Sequence, residues 1–60
     1  ELLTTFLRQL NLPEAVIEHD VEGLEHHVSQ ETFSAIESLS RYLAANPGVL
    51  QQLTNFQREK

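Results

Sequence analysis

Pro13-Glu14-Ala15-Val16-Ile17-Glu18-His19-Asp20-Val21-Glu22-Gly23-Leu24-Glu25-His26-His27-Val28 is the stretch whose reading decides the fold. Ile17, Val21, Leu24 and Val28 recur in it at spacings of 4, 3 and 4, which is the seam of an amphipathic helix and not the alternation of a strand. A helix over 13–28 is expected. Gly23 lies inside it, and a glycine in a helix interior costs about 1 kcal/mol against alanine. A break between Asp20 and Gly23 followed by a restart is therefore the alternative reading.

Towards the N-terminus, Leu2, Leu3, Phe6, Leu7 and Leu10 share one helical face, with Thr4, Thr5, Arg8 and Gln9 opposite, so a first helix is expected over Glu1–Leu10. Asn11 and Pro13 punctuate it, because proline cannot continue one helix but suits the first turn of the next. Towards the C-terminus, Ser29 followed by Gln30, Glu31 and Thr32 reads as an N-cap with an acidic first turn. The third helix should start at Gln30 and end near Ala45, its seam formed by Phe33, Ile36, Leu39 or Ser40, and Leu43, with Tyr42 flanking. Asn46 as N-cap and Pro47 as first residue open a fourth, carrying Val49, Leu50, Leu53 and Phe56 and running to about Arg58. The polar end, Gln57 to Lys60, should fray.

The expected fold is all-α: a compact bundle of three to four short amphipathic helices, with residues 1–60 forming a single helical interaction domain. A chain of 60 residues buries only about 60% of the surface its unfolded form exposes. It contains no cysteine to staple the core, so homodimerisation is an expected way to complete it. No apolar run approaches the roughly 18 residues that cross a bilayer, and the start lacks the basic residues of a secretory signal. A soluble chain, intracellular rather than secreted, is expected. With Glu1 first and no initiator Met, it reads as a piece of a larger protein.

The formal net charge is −5, which argues against nucleic acid and against anionic membranes, since both reward clustered Lys and Arg. By elimination, the expected macromolecular partner is another protein. The charge is also localised: Glu14, Glu18, Asp20, Glu22 and Glu25 fall in 13–28 with no cation among them, and so do His19, His26 and His27. Charge runs usually do no more than solvate a face. The functional alternative is a contact face of Glu18, His19, Glu22, Glu25 and His26 for a partner with a basic surface.

A metal reading takes His19, Glu22 and His26 on one helical face, but i and i+7 lie about 10 Å apart along the axis, too far for one ion. No metal ligand and no cofactor is assigned on this basis. A metal- or pH-responsive regulatory domain built on this helix is the alternative function, because histidine titrates near neutrality. Catalysis is not expected, with no cysteine nucleophile, no phosphate-cradling glycine pattern and little room for a cleft.

Leu12, Val16, Val49 and Leu50 fall near helix starts or off the main seams, and with Leu53 and Phe56 they form the candidate apolar docking or dimer surface. The third and fourth helices are the first choice for self-association. Asn46-Pro47-Gly48-Val49-Leu50 resembles the Asn-Pro-x-x-Leu helices of chaperone-associated client-binding domains, and the general pattern resembles the docking domains of multienzyme assemblies. Capping alone explains the first, and neither resemblance carries residue roles to this chain. The reading is a non-catalytic docking and oligomerisation module, with a structural subdomain of a longer chain as its competitor.

Overall fold

The computed structural model describes residues 1–59 as four helices: α1 (Leu2–Gln9), α2 (Glu14–His27), α3 (Gln30–Ala45) and α4 (Pro47–Arg58). No strand occurs among the described residues, and Lys60, expected to fray, lies outside them. The chain is all-α, with α1 packed against both α2 and α3, and α4 packed against α3.

The expected bounds hold to within a residue, and the shifts have local causes. Glu1 is not the first helical residue but the cap, its Oε1 accepting from the Leu3 N–H at 2.8 Å. Pro13 stands just outside α2 in extended backbone (φ −63°, ψ 148°). The turn between them rests on Asn11, whose φ of 65° is left-handed, a conformation asparagine tolerates better than most residues. Ser29 caps α3 as expected, its Oγ accepting from the Thr32 N–H at 3.2 Å.

Asn46 departs from expectation. It occupies the N-cap position of α4 but makes no side-chain cap bond; its Nδ2 instead donates to the Tyr42 carbonyl at 2.8 Å. An amide can serve either helix end, and here the free carbonyls of α3 take it. Helix α2 runs unbroken through Gly23, so the break-and-restart alternative is not what forms.

The core is small. Leu3 and Ile17 are sealed from solvent, with Leu7 and Leu43 nearly so, and each such side chain contributes about 1.5–3 kcal/mol. Of the two candidates for the α3 seam, Ser40 is inside and Leu39 is 47% exposed. Ser40 is admitted because Gln9 on α1 satisfies its hydroxyl. No residue of α4 is buried. Polar bonds help to hold it: Asn11 Nδ2 donates to Thr54 Oγ1 (3.1 Å) and Gln57 Oε1 (2.8 Å), and Gln57 Nε2 donates to the Leu10 carbonyl (3.1 Å).

Candidate functional site

Helix α2 is tied to the core along one side by Ile17, Val21 and Leu24, and the other sides are open. At about 100° per residue its polar residues fall into two groups. Glu18, Glu22 and Glu25 lie on one exposed side with His26 at its edge, about 20° from His19 around the axis, while the other group is His19, Asp20 and His27. Those three line an open groove of about 350 Å³ together with Gly23, Leu24 and Leu7 of α1.

The two groups differ in what they touch. His19 Nδ1 lies 3.1 Å from Asp20 Oδ1. Among the described residues, Glu22, Glu25 and His26 make no side-chain hydrogen bond and no ion pair, whereas Glu14, at the start of the same helix, is engaged by Arg8 through two bonds of 2.9 and 2.8 Å. Those bonds hold the Glu14 carboxyl below its ordinary pKa and raise that of Arg8. The acidic helix is thus anchored to α1 at its N-terminal end, and its middle and last turns keep their carboxylates and imidazole uncommitted.

The expected electrostatic face therefore divides. His19 lines the groove, and Glu18, Glu22, Glu25 and His26 lie outside its lining. His19 and His26 stand about two turns apart, and no three His, Asp or Glu side chains gather as a metal-binding cluster among the described residues. Closer spacings matter more. Glu25 and His26 follow Glu22 at i+3 and i+4, each about one turn away, so the donor types suit a divalent cation although these residues do not enclose one by themselves.

The expected apolar set divides too. Leu12 (36%), Val16 (39%) and Phe56 (64%) are exposed, while Val49, Leu50 and Leu53 are half-buried. Leu39 and Tyr42 (55% exposed) are additional surface side chains that the reading of the seam had put in or beside the core. Their exposure is legible only once Ser40 is known to face inward. No helix among the described residues is long and apolar enough to cross a membrane.

Comparison with known proteins gives this helix its context. The chain is 40% identical over 53 residues to the HTH-type transcriptional regulator MntR of Lysinibacillus sphaericus (strain C3-41), covering 88% of this chain and 38% of that protein. It is 40% identical over 58 residues to the protein of the same name from Geobacillus thermodenitrificans (strain NG80-2), covering 97% of this chain and 41% of the relative. The chain thus spans about two fifths of the length of these relatives, which are named as regulators and not as enzymes. No solved structure matches it. Residues 1–54 match the family described as the iron dependent repressor, metal binding and dimerisation domain, and with nine tenths of its length so matched the chain belongs to that family.

Proposed function

We propose that this chain is the metal-sensing and self-associating unit of a transcriptional regulator, acting as one domain over residues 1–60. In this reading α2 presents Glu22, Glu25 and His26 to a divalent metal ion, with Glu18 extending the acidic face by one turn. The observation that carries it is their freedom: three donors of suitable type, Glu25 and His26 each about one turn from Glu22, exposed and without side-chain hydrogen bonds or ion pairs among the described residues. The remaining ligands come from solvent, from a second copy or from parts of the protein beyond these residues.

A bound cation would supply the positive charge that α2 lacks. Glu14–Glu18, Glu18–Glu22 and Glu22–Glu25 stand at i+4 or i+3, and each like-charge pair costs a few tenths of a kcal/mol. Neutralising them stabilises the helix that also carries Ile17 into the core, which links metal occupancy to the rigidity of the domain.

The regulator's contact with nucleic acid, in this reading, belongs to other parts of the protein, because a surface with a formal charge of −5 repels phosphates. An intracellular setting follows from the same reading. Self-association removes from water the apolar side chains that a single copy leaves exposed, Leu12, Val16 and Phe56 among them, with Val49, Leu50 and Leu53 half-covered beside it. Calorimetric titration of the full chain with manganese(II) and zinc(II) tests the metal reading. Saturable binding weakened at least ten-fold in Glu22→Gln and His26→Ala supports it, and equal binding by wild type and variants contradicts it.

A further inference from the structure

Helix α4 is held differently from the other three. The buried side chains of the described residues, Leu3, Leu7, Ile17, Ser40 and Leu43, all lie in α1, α2 and α3, and α4 contributes none. Its Val49, Leu50 and Leu53 are half-buried, and the helix it packs against is α3. Among the described residues it takes part in no ion pair.

Its far end is fastened by side-chain hydrogen bonds that all reach one place, the corner where α1 gives way to α2. Gln57 Nε2 donates to the Leu10 carbonyl, and Asn11 Nδ2 donates to both Gln57 Oε1 and Thr54 Oγ1. The last carbonyls of a helix have no partner within it, so Gln57 caps α1 from outside. All three bonds are exposed, and water replaces an exposed bond at small net cost.

The near end has a ready pivot. Asn46 alone separates α3 from α4, and Pro47 has no N–H with which to bond back to α3. Asn46 Nδ2 already caps α3 through the Tyr42 carbonyl, so that helix is closed without help from α4. Helix α4 has no side-chain cap at its own start. Its departure would take no side chain out of the core.

We infer that α4 is a strap, pivoting at Asn46-Pro47, that closes on the α1–α2 corner through Gln57, Thr54 and Asn11 and opens as one unit while α1, α2 and α3 stay packed. A segment with few buried contacts and exposed hydrogen bonds opens at a lower free energy than the whole domain. Open, the strap leaves Asn11 in its left-handed backbone with no side-chain partner. Closed, it braces the corner from which the acidic helix α2 departs.

Amide hydrogen exchange of the full chain under native conditions, followed residue by residue by NMR, tests this. Leu53 and Asn55 amides should exchange about ten-fold or more faster than those of Leu7 and Leu43, and at a common opening free energy. Thr54→Ala combined with Gln57→Ala lies outside the core, and far-UV circular dichroism should show its helices kept. It should speed α4 exchange further, roughly five-fold, and leave Leu7 and Leu43 unchanged. Equal protection in all four helices, or a variant that speeds every helix alike, makes α4 part of one cooperative unit and overturns the strap. Exchange that rises smoothly from Leu50 to Arg58 is fraying of a chain end and overturns it too, as does a variant whose α4 exchanges like wild type.

Discussion

Gln9 and Ser40 bond to each other twice across the contact of α1 with α3. Gln9 Nε2 donates to the Ser40 carbonyl at 3.0 Å, and the Ser40 hydroxyl donates to Gln9 Oε1 at 2.9 Å. Ser40 is the one buried polar residue among those described, 4% exposed, and the pairing satisfies its hydroxyl while fixing how α3 sits on α1. Ser40→Ala leaves the Gln9 carbonyl oxygen without its donor and should cost about 1–2 kcal/mol, read from the urea midpoint. Gln9→Leu combined with Ser40→Ala should recover part of it, since removing both partners is milder than orphaning one.

The core offers little redundancy. Ile17 is 1% exposed and carries α2 into the bundle. Ile17→Ala should cost about 2–5 kcal/mol, comparable with the roughly 3–9 kcal/mol that a domain of this size possesses in total. Thermal melting followed by circular dichroism should show loss of the cooperative transition, whereas Leu39→Ala, at an exposed position of α3, should melt close to wild type.

Asn11 combines a left-handed backbone with two side-chain bonds to α4, and two substitutions separate these roles. Asn11→Gly keeps the backbone accessible and loses only the bonds to Thr54 and Gln57. Asn11→Ala loses the bonds and also forces a Cβ into the left-handed region, a further cost of about 1–2 kcal/mol. The alanine variant should therefore unfold at the lower urea concentration.

Acid should loosen the α1–α2 anchor. Glu14 has its folded pKa lowered, first by the Arg8 hydrogen bonds, so its contribution is complete above its unfolded value of about 4.5 and is lost as pH falls through the depressed folded value. Arg8, raised from an already high value, stays charged throughout and adds no slope in that range. The pair is exposed and its effect is small. A melting series from pH 7 to acid should fall less steeply between ordinary and depressed carboxylate values in Glu14→Gln than in wild type.

Helix positions were legible because their signals are local: apolar spacing, Ser29 before an acidic turn, and proline at 13 and 47 each act within a few residues. What sequence could not supply is the partner each polar side chain finds in space. Ser40 looked no better than Leu39 as a seam residue until Gln9, thirty-one residues away, was placed against it. Asn46 looked like a cap for the helix after it and serves the one before it. The acidic, histidine-bearing stretch was visible at once, but its division into a donor side and a groove side depends on α2 being continuous through Gly23, which glycine alone argues against. His19 and His26 stand two turns apart at i+7, whereas Glu25 and His26 each lie about one turn from Glu22.

Metal should stabilise the domain if α2 carries the donors. Ligand that binds only the folded form at one hundred times its dissociation constant adds about 2.7 kcal/mol. The melting temperature should therefore rise with manganese(II) and fall back on adding a chelator. In Glu22→Gln combined with Glu25→Gln the rise should vanish, and the metal-free variant should melt no lower than wild type because like-charge repulsion along α2 is relieved.

Manganese(II) is paramagnetic, and this makes the central claim directly observable: adding it in substoichiometric amounts to the isotopically labelled chain broadens the amide signals nearest the ion. The account predicts that Glu22, Glu25 and His26 lose intensity first, with Phe33, Val49 and Phe56 preserved. First broadening at Glu31, Glu37 or the N-terminal residues, or uniform broadening along the chain, would contradict it.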